Sequence, residues 1–565
     1  MRRMKKLLAF FGVLSLVIQP STLSAQQYAP PMSHEISLAG NFGEPRPNHF
    51  HGGLDFRTEG VEGKCVMSIG DGYVSRITVG LFGFGNAVYV SHPEGFTSVY
   101  CHLQRFSPRL ERLLKAWQYE HEQREADIRL SPVDYPVAQG QLIAFSGNTG
   151  HSFGPHLHME IHDTRTWNML DPLEFLGSFV NDSVPPQIHD IKAYAQPDGG
   201  VGFAIYADDY MQNSHNHYGI RLTQLLVDGK EVFRADVNNI PKSANRMVNS
   251  WGDYDYFYHH SRWYLKTFIE PGNTLPILNA DEHRGIVYFT EDRDYHLEFI
   301  LTDYFGNQTK KQLVVSVSGG GLKVEGGGRI PEGQEQISFN TPPSTLHQEK
   351  SSTLHQLKWN RTNVISRPGM QLVVPYGYVG VDTPIDLTVE QRDGLSPVYQ
   401  FSKRSLPLFY DAELSIAARR EVNDPDKLFI GQCFDEPSQP VCLGGTIQDG
   451  WVTAPVRDLG GSYMLYYDDV PPLIEPKSTD ASGLLRFEIR DELSGVQSYK
   501  AYVDDRFVLF KAQTQSLTVN PRGATVIACR LANTPVQRTG KERRLKLVVT
   551  DRCNNQNTYE TTIKY

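Results

Sequence analysis

The chain has 565 residues, with 64 acidic side chains against 55 basic ones and a formal net charge of -9. At roughly 150 residues per domain it has room for three or four domains, so length is no obstacle to a proper core. The acidic balance argues against nucleic-acid binding, which needs clustered Lys and Arg, and against adhesion to an anionic surface by bulk charge.

The first element is an exit signal. Arg2, Arg3, Lys5 and Lys6 precede an apolar run from Leu7 to Ile18, and Ser21 to Ala25 follows, small and polar apart from Leu23. No acidic residue appears before Glu35. This is the layout of a secretory signal peptide over residues 1–25, and the run falls short of the about 20 residues that span a bilayer. Its removal takes away four positive charges and no negative ones, so -9 becomes -13. The mature protein is expected to be periplasmic or secreted, with no stable membrane insertion. Six cysteines lie in three neighbourhoods, Cys65 and Cys101, Cys433 and Cys442, Cys529 and Cys553. An even number in an exported chain favours disulfides. Local pairing is expected, with Cys65 joined to Cys101; isolated buried thiols are the alternative.

From Ser33 to about Asp182 the text reads as short strands with turns: Cys65–Ile69, Tyr73–Val79, Ala87–Ser91, Ser98–His102, Leu142–Ser146 and His156–His162. One segment breaks the pattern. Ser107-Pro108 is an N-cap with proline in the first turn, and Leu110, Leu113, Leu114 and Trp117 follow at helical spacing. They predict an amphipathic helical insert over residues 107–127. It follows His102 closely in sequence, so it is expected at the rim of the groove that carries that histidine.

The remainder contains an internal repeat. Asp182-Ser-Val-Pro-Pro-Gln-Ile188 recurs as Asp468-Asp-Val-Pro-Pro-Leu-Ile474. Each copy runs on to an acidic turn (Asp209, Asp491), a hairpin signal (Val227-Asp228-Gly229, Val503-Asp504-Asp505) and a closing aspartate with an asparagine turn (Asp303 with Asn307, Asp551 with Asn554-Asn555). Two immunoglobulin-like β-sandwiches are expected, over residues 182–318 and 468–565. A further β-rich domain is expected between them, over residues 330–467. The fold class is therefore mainly β: an antiparallel-sheet domain with a helical insert, followed by sandwiches.

Three short stretches carry metal-capable side chains. The first is His51-Gly-Gly-Leu-Asp55, after Phe42-Gly43-Glu44-Pro45-Arg46; the second is Tyr100-Cys101-His102-Leu103. The third is Gly147-Asn-Thr-Gly150 and then Gly154-Pro-His156-Leu-His158-Met-Glu160. A tetrahedral zinc site takes three imidazole or carboxylate ligands and leaves the fourth position open. On a strand His156 and His158 share one face, with Leu157 and Met159 turned to the core. The two glycines after His51 let the chain bend so that Asp55 meets the same metal. Each piece alone is weak; the three in this order are specific.

On these residues the segment 33–180 resembles the lysostaphin/LytM family of zinc metallopeptidases. The resemblance implies one zinc per chain, held by His51, Asp55 and His158, with His102 and His156 as the catalytic histidines. It implies a zinc-activated water attacking peptide cross-links of bacterial peptidoglycan, with stem peptides as substrate. All five positions are filled, unlike in degenerate relatives that activate other hydrolases; a non-enzymatic activator of a cell-wall amidase is the alternative reading. No His-Glu-x-x-His helix is present, since His121-Glu-Gln-Arg-Glu125 fails at its last position. His49, His92 and His162 are read as structural or cleft-lining, Asn148 and Thr149 as turn-formers beside the cleft, and Arg46 as a substrate contact. The sandwiches are open to envelope protein partners.

Overall fold

The computed structural model describes residues 28–318, 321–325, 352–434, 440–479, 483–512 and 524–565. The expected signal peptide and the start of the third expected domain lie outside them. The architecture is mainly β, as the alternation implies. Among the described residues no helix is long and apolar enough to cross a membrane.

Seven strands form the continuous path of a ten-stranded main sheet: β1 (Leu38–Gly40), β2 (Gly53–Arg57), β3 (Gly72–Val79), β4 (Asn86–Ser91), β5 (Phe96–Cys101), β6 (Ala126–Arg129) and β7 (His156–Asp163). They run antiparallel in the order β1-β2-β7-β5-β4-β3-β6. Alternate residues Leu157, Met159 and Ile161 of β7 turn into the apolar core with Leu54, Phe56 and Tyr100, as the period of a strand requires. The opposite face of β7 carries His156, His158, Glu160 and His162, and the last three are buried as well. A strand buried on both faces, one apolar and one polar, is the foundation of the site.

The insert forms helix α1 (Pro108–His121), with Leu110 and Leu114 in the core. It stops six residues before the expected end, at Glu122 in the left-handed conformation (φ 48°). Sheet pairing takes the rest: Ala126 and Ile128 turn inward while β6 pairs with β3, and Arg76 clasps Asp127 at 2.6 and 2.7 Å. The helix also departs from the expected groove rim. It leads to the edge of the sheet, where β3, β4 and β5 separate β6 from β7. Among the described residues its hydrogen bonds, ion pairs and ring contacts run to segment 106–135 and to the C-terminal unit, where Tyr119 meets Phe507 with ring centroids 5.7 Å apart. None reaches the motif histidines.

The rest of the chain is three two-sheet units, each around its own core. Both hairpins of the repeat form. Asp228 and Gly229 (φ 50° and 79°) connect Leu222–Val227 to Lys230–Asp236, and Asp504 and Asp505 (φ 47° and 57°) connect Val496–Val503 to Arg506–Val508. Two successive positive φ values suit the twist of a two-residue hairpin. The first of these units is fused to the N-terminal one. Phe42, Phe50 and Met169 belong to its core, Phe50 lies 5.9 Å from Trp251 between centroids, and Met169–Leu170 pairs with Asn239–Ile240.

The cysteines correct an expectation. Cys65 and Cys101 are separate thiols, the first exposed and the second buried. Cys65 lies on a small separate sheet opposite Phe145, whereas Cys101 lies on β5 opposite His158.

Candidate metal centre

The register places the motif. Asp55 on β2 and Cys101 on β5 both lie directly opposite His158 on β7. His51 stands just before β2, and His102 just after β5 with φ 58°. That positive φ turns the chain out of the strand, so His102 is not the strand residue that alternation suggested. The glycines after His51 serve close approach rather than bending. A Cβ on Gly53 would stand 2.1 Å from the Met159 carbonyl oxygen, and one on Gly52 would stand 2.6 Å from Glu160 Oε1.

Three donor atoms converge. His51 Nε2 is 3.0 Å from His158 Nδ1 and 3.0 Å from Asp55 Oδ1, and His158 Nδ1 is 2.8 Å from Asp55 Oδ1. The three residues are buried. Ligands about 2.0–2.1 Å from a tetrahedral zinc stand about 3.3 Å apart, so this triangle is close to the size required. The outer nitrogens settle which ring atom faces inward. A carbonyl can only accept, so His51 Nδ1 donates to the Asn41 carbonyl at 2.5 Å and leaves Nε2 to face the site. His158 Nε2 points to Glu160 Oε1 at 3.0 Å, and His162 Nε2 holds the other Glu160 oxygen at 2.6 Å. Outer partners of this kind orient metal-binding imidazoles. Two imidazoles and a carboxylate suit zinc.

Electrostatics agree with a cation site. Burial opposes ionisation of Asp55, but the charge of His51 and the hydrogen bonds from both imidazoles outweigh it and hold the carboxyl well below its usual range. Burial also opposes a charged His158, yet its bonds to Asp55 and Glu160 lift it to about 9. Loading a metal at such a nitrogen releases its proton.

His102 and His156 face the same place. His102 Nδ1 donates to the Thr149 carbonyl at 2.8 Å, and His156 Nδ1 donates to the Gly154 carbonyl at 2.8 Å. Each therefore keeps an unprotonated Nε2; that of His156 lies 3.6 Å from Asp55 Oδ1. The two rings are 4.8 Å apart between centroids. Burial, then the neighbouring His158 and His156 charges, push His102 down to about 3, and burial lowers His156 too. Both are neutral bases near pH 7.

All five expected residues are thus brought together. Arg46 stands beside them, with Nη2 3.1 Å from Glu44 and 3.4 Å from Asp55 Oδ2. His92 is structural, between the Asp71 carbonyl and Ser98, and His49 bonds to the Pro47 carbonyl. Sequence reasoning missed Asn41 and Glu160. Glu160 was legible, because it follows His156 and His158 on the same strand face; Asn41 has no local signal. Phe82 (52 % exposed) and Phe153 (78 % exposed), on the loops before β4 and β7, leave apolar surface open to a ligand.

The site and fold define a metallopeptidase-type domain, and the comparisons name its family. Residues 49–116 match peptidase family M23, in line with the LytM-type resemblance of the motif. The match takes in His51, Asp55 and His102 and ends inside α1, the insert that separates them from His156 and His158. Residues 354–468 match the Zu5-like domain. The chain is 34% identical over 151 residues to an "Uncharacterized metalloprotease" of Haemophilus influenzae, covering 27% of this chain and 25% of that one. It is 32% identical over 111 residues to "DD-carboxypeptidase/endopeptidase Mpg" of Neisseria meningitidis, covering 20% and 19%. It is 34% identical over 98 residues to "Peptidoglycan DD-endopeptidase ShyC" of Vibrio cholerae, covering 17% of each. The chain thus spans a quarter or less of the curated relatives it matches. Among solved structures, the catalytic domain of the prophage-encoded M23 protein EnpA from Enterococcus faecalis aligns with 26% of this chain and 95% of its own, at 20% identity and TM-score 0.20.

Proposed function

We propose that the protein is an exported zinc endopeptidase that hydrolyses peptide cross-links in bacterial peptidoglycan. One observation carries the reading: three imidazoles bring a ring nitrogen within 3.6 Å of Asp55 Oδ1, His102 packs against two of them, and all four have the other nitrogen tied to a carbonyl or carboxylate. His51, Asp55 and His158 hold one zinc. When bound, zinc supplies a Lewis acid that acidifies water and polarises a scissile carbonyl. His102 and His156 supply the rest. As neutral bases they take the proton released by the attacking water, and the resulting imidazolium passes it to the leaving amine. The N–H so formed hydrogen-bonds the oxyanion as it develops. Fixed rings spare the reorganisation that mobile ones need. The names of the Neisseria and Vibrio relatives, a DD-carboxypeptidase/endopeptidase and a peptidoglycan DD-endopeptidase, support a cross-linked stem peptide as substrate.

Purified peptidoglycan digested with the zinc-loaded protein and analysed by mass spectrometry tests this. Cross-linked dimers should fall as their monomers appear. His51→Ala should lose both zinc and activity, while His102→Ala and His156→Ala keep zinc and lose most activity. Unchanged peptidoglycan with full zinc occupancy overturns the enzymatic reading in favour of an amidase activator.

A further inference from the structure

A second set of carboxylates converges away from the histidines. Asp182, Asp209 and Asp303 each offer an oxygen, and these lie within 4.8 Å of one another. The repeat supplies a counterpart in Asp468, Asp491 and Asp551, equally close. The two triads share their framing. The Val184 amide donates to Asp182 Oδ1 at 3.0 Å, as the Val470 amide does to Asp468 Oδ1 at 3.3 Å. Asn307 grips Asp303 through its backbone and side-chain nitrogens at 2.8 and 2.6 Å, and Asn555 grips Asp551 at 2.8 and 2.7 Å.

They part at the middle aspartate. Asp491 Oδ1 accepts the amides of Leu493 and Gly495 at 3.1 and 2.6 Å. Asp209 is only 2 % exposed, and its Oδ1 has no hydrogen-bond partner. Asp182 Oδ2 is likewise buried and unpartnered. Burying a carboxylate oxygen without a donor is costly, and like charges this close raise the cost. Burial, then the Asp303 charge, push the Asp209 carboxyl up to about 8. The group calls for a cation or, failing that, a shared proton.

We propose that Asp182, Asp209 and Asp303 form a calcium-class divalent cation site that locks the first two-sheet unit onto the N-terminal domain. A set made only of carboxylate oxygens selects a hard cation over zinc. Its position gives it consequence. The backbone of Asp209 pairs with Tyr218 in both directions at 3.0 Å and closes the intervening loop. That loop docks on β1 and its neighbour: Tyr218 Oη donates to the Leu38 carbonyl at 2.9 Å, Asn216 Nδ2 donates to the Ala39 carbonyl, and Gly219 exchanges two bonds with the Asn41 side chain at 2.8 and 2.9 Å. Asn41 is the residue whose carbonyl orients His51. The cation site stands without the peptidase reading; only its transmission to His51 rests on that reading.

The test uses the purified protein, stripped of metal and reloaded with one equivalent of zinc, so that the histidine site is already filled. Calcium is added, with calorimetry for binding and thermal unfolding for stability. One calcium should bind and raise the first unfolding midpoint by several degrees. Asp209→Asn and Asp303→Asn should abolish both effects, and Asp491→Asn should keep them. Terbium luminescence displaced by calcium in the unmodified protein gives a readout that does not need the variants to fold. The proposal is overturned if the unmodified protein ignores both ions, or if Asp209→Asn binds calcium unchanged. A wild type indifferent to calcium, alongside a stabilised Asp209→Asn, identifies a shared proton instead.

Discussion

The two copies of the repeat share a frame but meet the N-terminal domain in opposite ways. The first copy takes Phe42 and Phe50, the residues that bracket the approach to His51, into its own core, and it adds the pair Asn239–Ile240 to the edge of Met169–Leu170. The last copy touches the N-terminal domain through polar and ring contacts to α1, such as Tyr502 Oη on Glu122 at 2.9 Å. A shared sequence frame therefore fixes sheets and hairpins, and the surface residues decide whether a unit builds a site or braces one. The first copy helps to build this site.

The largest effect that could break this contrast comes from Trp251, 2 % exposed and packed on Phe50. Trp251→Ala should cost about 3–5 kcal/mol and should also weaken zinc binding, since the segment leading to His51 loses its support. Phe507→Ala in the last copy should destabilise that unit and leave zinc content unchanged. Equal zinc loss in the two variants, measured by elemental analysis of folded protein, would end the distinction.

Asn41→Ala sharpens it. The substitution leaves the amide and carbonyl of Gly219 without partners, at about 1–3 kcal/mol for each group that water cannot reach. Because the Asn41 carbonyl remains, zinc should still bind, but more weakly. Zinc affinity unchanged in a variant that melts lower would show that the joint supports the fold without tuning the site.

These residues also mark how far the sequence could be read. The His-x-His strand, its buried alternates and both repeat hairpins were legible, because each depends on neighbours a few residues apart. Glu160 lay in view on the same strand face. The roles of Phe50 and Asn41 were hidden, because their partners Trp251 and Gly219 lie about two hundred and one hundred and eighty positions away. The end of α1 was misjudged for a related reason: nothing local announces that residues 126–129 pair with β3. The disulfide expectation failed because compartment favours pairing but cannot put Cys65 and Cys101 on facing strands.

A pH experiment probes the same joint. Burial pushes Asp171 up to about 7, against the pull of the Leu173 amide at 2.9 Å and of Arg221 at 3.6 Å. The folded state therefore binds this proton more tightly than the unfolded chain, whose value is about 3.9. The stability that follows is complete below about pH 4 and is lost as pH rises through about 7. Asp171→Asn keeps an oxygen for the Leu173 amide and removes the titration. It should melt a few degrees above the wild type at pH 8, with the difference closing toward pH 4. A lower midpoint at pH 8 would mean that the Arg221 pair outweighs burial.

The smallest effect belongs to the other end of the comparison. Tyr502→Phe removes one hydrogen bond to Glu122 and leaves the ring in place, so the cost should be under about 1 kcal/mol at so open a contact. Zinc content and activity should not change, because among the described residues no hydrogen bond, ion pair or ring contact of α1 reaches the histidines, and α1 leads to β6, with three strands between it and β7. What should change is local. Glu122 is the left-handed residue that ends the helix, and its amide bonds back to the Gln118 carbonyl. Releasing its side chain should let the last turn of α1 open more often, seen as faster amide exchange over residues 118–125 with the rest of the sheet unaffected. Exchange unchanged there would leave the last copy without a bracing role through this bond. Accelerated exchange reaching residues 149–158 would instead join α1 to the site, and would restore the position at the groove rim that its contacts argue against.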